Sequence, residues 1–164
     1  MTLSVAALWR YPIKTLAGER LETAELTTDG IPGDRVVLVR GPEGIRTSRR
    51  FHRRLGLHAT LDQAGEPLVN NMAWIDPKVL DLVREAAGDE AWLAPAGAEE
   101  RFDVLPLLVA TDGAVDAFGR DVRRLRPNIL VAGVDSLDEC GGRAQAFASG
   151  RPRFASTRCD SVAR

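Results

Sequence analysis

With 164 residues and 45% hydrophobic content, the chain can bury a sizeable core and is long enough for one domain or two small ones. Its net charge of -1 and 5% aromatic content exclude a general nucleic-acid binder, which is usually basic overall with interleaved aromatics. No run of about 18 apolar residues occurs, and the opening ten residues have neither a basic start nor a long apolar stretch. Neither a membrane span nor a signal peptide is therefore expected, and the protein is placed in the cytoplasm.

The charge is unevenly distributed. Residues 1–60 hold 10 Lys/Arg against 6 Asp/Glu, residues 61–118 hold 3 against 12, and residues 119–164 hold 9 against 5. Of the 22 cations 20 are Arg, whose planar fork suits phosphate or carboxylate, although an Arg-rich codon usage accounts for the same excess. The two cysteines, Cys140 and Cys159, are too few for a disulfide framework, so each is a small core residue or a functional thiol.

In chain order, Ser4 to Tyr11 reads as a strand closed by Pro12, and Leu21 to Thr27 alternates as a second strand. The turn Gly30-Ile-Pro-Gly33 launches a strand from Arg35 to Arg40, and Gly41-Pro-Glu-Gly44 reads as a hairpin turn returning the chain through Ile45 to Ser48. Asp76 to Ala87 is the clearest helix, with Asp76 as cap, Pro77 in the first turn, an apolar face of Val79, Leu80 and Val83, and Gly88 closing it. The stretch Gly88 to Glu100 reads as a loop between two halves. Val104 to Ala110 reads as an apolar strand, Thr111 to Phe118 as a short helix capped by Thr111, and Asn128 to Val131 as a buried strand. Short strands with tight turns predict a mainly β fold of barrel type with a few short helices.

Lys14, Arg35, Arg126 and Asn128 all fall at predicted strand ends or turns, and convergent cations of this kind point to a bound anion. The late thiol Cys159 beside such a site suggests a soft metal. His52 and His58 have no Cys or carboxylate partner at metal-binding spacing, and Cys140 in Glu139-Cys-Gly-Gly-Arg143 reads as a packing residue.

Four blocks carry a family resemblance: Leu8-Trp-Arg-Tyr-Pro-Ile-Lys-Thr-Leu-Ala-Gly-Glu19, Gly30-Ile-Pro-Gly-Asp-Arg35, Leu125-Arg-Pro-Asn-Ile-Leu130 and Arg158-Cys159. Their types and order resemble the MOSC family with its N-terminal β-barrel domain. The resemblance implies an N-terminal barrel-like domain over residues 1–95 and a partial, truncated or altered MOSC domain over residues 96–164. It also implies a molybdenum cofactor (molybdopterin), with pyridoxal phosphate binding as a further family expectation.

Relatives similar to the amidoxime-reducing and N-hydroxylaminopurine-detoxifying enzymes reduce small N-hydroxylated substrates. By that resemblance Cys159 supplies a thiolate to the metal and is the catalytic residue. Lys14 and Arg35 hold the pterin phosphate, and Arg126 and Asn128 complete the polar clamp. Thr15 stands where the family usually has Ser, and Ser48 and Thr111 match polar positions near the cofactor. Each charge-assisted bond to such a phosphate is worth roughly 1.5–3 kcal/mol, and Arg158 beside Cys159 favours the thiolate. No iron-sulfur cysteine cluster is present, so electrons are expected from an external iron-sulfur or flavin protein.

From Gly141 to Arg164 the only large apolar residues are Phe147, Phe154 and Val162, a weak pattern for barrel-closing strands. The tail therefore reads as a fragment ending at the site or as a shifted reading frame in which the Arg158-Cys159 match is a coincidence. The alternative function is accordingly a non-catalytic cofactor-binding module or an inactive remnant.

Overall fold

A computed structural model of the protein describes residues 2–47 and 56–134. Among the described residues ten strands and two α-helices follow one another, so the fold is mainly β as the turn spacing predicts. The strands form three sheets that do not close into one continuous barrel among the described residues.

The first sheet has the order β2-β1-β10-β9, built from β1 (Ser4–Arg10), β2 (Glu19–Leu21), β9 (Val109–Thr111) and β10 (Ile129–Ala132). β1 runs antiparallel to both β2 and β10, whereas β10 and β9 are parallel. Parallel neighbours need a crossover of a dozen or more residues, and α2 (Asp112–Phe118) with the 3-10 turn Val122–Arg124 provides it. Thr111 caps α2 by accepting from Ala114 N at 3.1 Å, and Gly119 closes it in the left-handed conformation at φ 63°. The Asp112 carboxylate accepts from Gly133 N at 2.7 Å and Val134 N at 3.0 Å, tying the start of the helix to the end of β10. Those backbone donors hold its carboxyl below the usual range.

The second sheet has the order β4-β3-β8, with β3 (Val37–Gly41) paired to β4 (Gly44–Ile45) across the predicted turn and to β8 (Trp92–Pro95) on its other side. The third is a meander of β5 (Ala59–Leu61), β6 (Pro67–Val69) and β7 (Met72–Ala73). Asn70 and Asn71, at φ 48° and 66°, make the two-residue turn between β6 and β7, where positive φ matches the strand twist and Asn tolerates it.

Several expectations need correction. The stretch 88–100 is not a loop throughout: Trp92 to Ala94 pair with Arg40 to Leu38, and this pairing outweighs the low strand propensity of Ala and Pro. The second strand is Glu19–Leu21 rather than Leu21 to Thr27, because only residues 19–21 face β1 in register. Val104 to Leu108 is irregular, and Val104 and Leu105 are 78% and 55% exposed. Only Val109–Thr111 reaches β10. The first sheet draws on both sides of position 95, since β9 and β10 join β1 in it.

The helix α1 (Pro77–Ala87) forms as its punctuation predicts. Asp76 accepts from Lys78 N at 2.8 Å, Val79, Val83 and Ala87 are buried, and Gly88 closes the helix at φ 97° with its N–H on Arg84 O. The Arg46 guanidinium donates to Ala87 O at the same end, where the helix dipole favours a cation. The buried face meets Ile13, Leu16, Val37, Val39, Leu57, Ala59 and Val69 in one core.

The segment 11–17 joins all three sheets. It continues β1, bridges Ile13 to Val37 of β3, and bridges Ala17 to His58 beside β5. Arg35 N and Val36 N donate to Tyr11 O and Pro12 O, and Ala59 N to Ala17 O, so each sheet is hydrogen-bonded to this stretch. Leu16, with no exposed surface, sits at its centre. Leu16→Ala is expected to lower stability by about 2–5 kcal/mol, seen as a lower urea midpoint at unchanged slope. Ile75→Ala, at a side chain 73% exposed, is expected to change it by less than about 0.5 kcal/mol; comparable losses at both positions would overturn this account of the core.

Candidate functional site

Three turns bring the predicted residues to one end of the first sheet. Ile13 to Leu16 is a turn with Leu16 N on Ile13 O at 3.2 Å, and Thr15 in its third position has φ 80°, a value that usually calls for Gly. The turn from Gly30 to Asp34 has positive φ at Gly30 and Gly33 and leads into Arg35 at φ 52°. A Cβ at Gly30 would stand 2.8 Å from Pro106 O, so this turn packs directly on the chain that enters β9. The 3-10 turn Val122–Arg124 closes with Arg126 at φ 56°, its N–H on Val122 O, just before Pro127.

The junction between these turns is polar and buried. Asp34, with no exposed surface, accepts from Tyr11 N at 2.7 Å and from the Arg35 guanidinium. Arg35 Nη1 also donates to Asn128 Oδ1 at 3.1 Å. Asn128, equally buried, accepts from Leu108 N at 3.1 Å on the same oxygen and donates from Nδ2 to Trp9 O at 3.3 Å. Its amide is committed at both ends, so Asn128 positions Arg35 and ties β1 to the entry of β9.

Around this junction the cations alternate with aromatic rings. The Arg126 guanidinium lies 4.6 Å and that of Arg35 5.4 Å from the centre of the Tyr11 ring. Arg35 is also 5.9 Å from the Phe102 ring, and Arg101 is 4.9 Å from it. Each contact of this kind contributes about 0.5–2 kcal/mol, more as it is desolvated. The Tyr11 hydroxyl donates to Pro127 O at 3.0 Å, and burial pushes its pKa up to about 12 although Arg126 and Arg35 pull the other way. Burial, and then repulsion from Arg35, lowers Arg126 to about 10, with Tyr11, Asp34 and Asp103 opposing. Arg126 as a residue is half-buried, yet its Nε and Nη2 are sealed and, among the described residues, lack a hydrogen-bond partner, as does Nε of Arg101.

Lys14 stands beside this group. Its Nζ donates to Glu100 O at 2.8 Å and pairs with Asp103 Oδ1 at 2.8 Å, and its side chain is 13% exposed. Residues 97–103 form a strap over the site. The Glu100 carboxylate takes Arg40 Nη2 at 2.6 Å and Gly97 N at 3.1 Å, which together hold its carboxyl below the usual range. Arg101 Nη2 donates to Asp34 O at 2.8 Å.

Of the predicted residues, Arg35, Arg126 and Asn128 thus meet around Tyr11, and Lys14 joins them through the strap. Thr15 is buried in the turn next to Lys14. Thr111 uses its hydroxyl to cap α2 and takes part in β9, away from the cation cluster's hydrogen bonds. Ser48 and Cys159 lie outside the described residues, as do His52, Cys140 and Arg158. Sequence reasoning passed over Tyr11 and Asp34, although both stand inside quoted blocks, and over Arg101, Phe102 and Asp103, whose stretch carries no recognisable spacing. Two cavities of about 430 and 420 Å³ lie elsewhere, between β1 and β2 and beside the β3–β4 turn. Among the described residues no group of three His, Cys, Asp or Glu is placed to hold a metal ion, and no helix is long and apolar enough to cross a membrane.

Tyr11 is the only tyrosine of the chain, so its titration can be read directly. Tyrosinate absorbance is expected to rise around pH 12 rather than near the ordinary value of about 10. Because the folded value is the higher one, the folded state holds the proton longer. This contribution to stability is complete below about pH 10 and lost as pH rises toward 12. An ordinary midpoint in protein still folded by circular dichroism would contradict the burial of this ring.

Residues 2–82 match the family model of the MOSC N-terminal beta barrel domain. No curated protein matches the chain. The matched stretch contains Lys14, Thr15, Arg35 and Ser48 together with the segment that joins the three sheets, and residues 2–82 belong to the MOSC N-terminal beta barrel domain family.

Proposed function

We propose that this protein binds the phosphate of a molybdenum cofactor at the cluster of Lys14, Arg35 and Arg126 and, with that cofactor, reduces small N-hydroxylated compounds using electrons from an external iron-sulfur or flavin protein. The observation that carries the reading is a pair of sealed donors, Nε and Nη2 on Arg126, that have no hydrogen-bond partner among the described residues. An unpaired buried donor costs about 1–3 kcal/mol, more when charged, and a cation so placed is stabilised by an anion that accepts from it. The residues present therefore fit a phosphate ester. Lys14 and Arg126 would hold its oxygens, the Thr15 hydroxyl stands next to Lys14, and Asp34 and Asn128 keep Arg35 in place.

When bound, the cofactor supplies the oxygen-atom chemistry at molybdenum, with Cys159 proposed as the thiolate that anchors the metal. The chain's own part is to orient the pterin by its phosphate and to exclude water from the guanidinium groups. Pyridoxal phosphate carries the same kind of phosphate ester, so the bound chromophore distinguishes the two.

The test uses the whole chain from a cofactor-producing host. Wild type should contain pterin, and Arg126→Met should lower pterin content by at least about tenfold while leaving the melting temperature unchanged or raised, because it removes an unpaired buried cation. Cys159→Ser should keep the pterin and lose molybdenum. Undiminished pterin in Arg126→Met, or a loss that merely follows unfolding, would overturn the phosphate site. Pyridoxal absorbance without pterin would reassign the cofactor.

A further inference from the structure

Asp103 is the feature of this cluster that a ligand site alone does not explain. Its carboxylate stands 2.8 Å from Lys14 Nζ at the end of a strap fastened at three points: Glu100 to Arg40, Arg101 to the Asp34 carbonyl, and Lys14 to the Glu100 carbonyl. The Asp103 side chain is 76% exposed while that of Lys14 is 13% exposed, so the carboxylate reaches a largely buried cation from the solvent side. Its charge also acts on Arg126. Four cations, Lys14, Arg35, Arg101 and Arg126, share this neighbourhood, and among the described residues Asp34, Asp103 and, through its interaction with Lys14, Glu100 are carboxylates that face them.

We propose that Asp103 is a resident stand-in for the ligand's anion, holding Lys14 in the empty site and giving it up when a phosphate group enters. This rests on the anion-site reading above and adds to it a competing group within the chain. A buried carboxylate such as Asp34 is fixed by its backbone and guanidinium donors. The Asp103 side chain is mostly in water, so its pairing with Lys14 is screened and open to exchange for a phosphate oxygen. The exchange replaces one anion on Lys14 by another and leaves Arg101, Phe102 and the Glu100–Arg40 pair where they are. It would keep four clustered cations from repelling one another in the ligand-free protein, at the expense of a lower affinity for the ligand.

The experiment titrates inorganic phosphate into the full chain, made in a host without molybdenum cofactor, by isothermal calorimetry at fixed ionic strength. Asp103→Asn should bind phosphate about fivefold more tightly than wild type, the scale of one exposed ion pair, with an unchanged melting temperature. Glu85→Gln, which removes an exposed acid of α1, should leave the affinity as it is. If wild type binds phosphate, Arg126→Met does not, and Asp103→Asn binds no better than wild type, the stand-in role is overturned while the anion site survives. An equal gain in Glu85→Gln would likewise overturn it, as an effect of net charge. If wild type and Asp103→Asn both fail to bind, or Arg126→Met binds as wild type does, the anion site itself fails and the stand-in with it.

Discussion

A carboxylate without access to water must have its charge met inside the protein, and the arrangement around Asp34 follows from that requirement. Its oxygens take the Tyr11 backbone N–H and the Arg35 guanidinium, and Arg35 in turn is held by Asn128. Removing one partner of a buried pair typically costs about 3–5 kcal/mol, far more than any surface contact. The four residues belong to three separated parts of the chain, so the network sets how the end of β1, the turn before β3 and the entry to β10 approach one another. Packing of Leu16, Val37 and Val83 supplies the apolar stabilisation, but it does not dictate which turn faces which. The polar network does.

Backbone strain points to the same place. Among the described residues five other than glycine have positive φ: Asn70 and Asn71 make a hairpin turn that favours them, and the remaining three are Thr15, Arg35 and Arg126. For a β-branched residue such as Thr15 this conformation is a true outlier, and strained residues of this kind cost of order 1–3 kcal/mol each. Folding alone would be served better by Gly at each position. Together with the unpartnered nitrogens of Arg126 and Arg101, the strain means that stability is given up repeatedly within one small region. Such concentration is the usual mark of a site shaped by a ligand rather than by the fold.

The sequence made part of this legible because some signals are local. The Asp76-Pro77 start and Gly88 stop of α1, the Thr111 cap of α2 and the Gly41 to Gly44 turn depend only on near neighbours, and each is found where chemistry places it. Lys14, Arg35, Arg126 and Asn128 stood out because cations at turns beside Pro or Gly serve no obvious packing purpose. What depends on distant partners was not legible. Trp92–Pro95 becomes a strand only because β3 offers it a free edge, and Val104 to Leu107 stays outside the sheets because, among the described residues, ladder pairing with β10 begins only at Val109, with Leu108 bonded to Asn128 and Ile129 at its entry. Arg101, Phe102 and Asp103 give no signal in the sequence because their partners Asp34, Arg35 and Lys14 lie more than 60 positions earlier. Asn128 was read as part of a clamp, whereas its buried amide is committed to Trp9, Leu108 and Arg35. Periodicity cannot distinguish a residue that touches a ligand from one that holds the residue that does.

The site is also not contained in the stretch that carries the family match. Residues 2–82 bring Lys14, Thr15, Asp34 and Arg35, but Arg101, Arg126 and Asn128 all come later. β10 inserts beside β1, and the turn that precedes it delivers Arg126 to the Tyr11 ring while Asn128 reaches back to Trp9 and Arg35. Without residues 101–128 Asp34 would keep the Arg35 guanidinium, but Arg35 would lose its second anchor and Tyr11 one of its two cations. The N-terminal part therefore supplies the scaffold and half of the charge, and the following strand and strap turn it into a cluster with donors to spare. A cationic cradle assembled in this way exists only when both parts of the chain are folded against each other, so binding an anion there would also stabilise the contact between them.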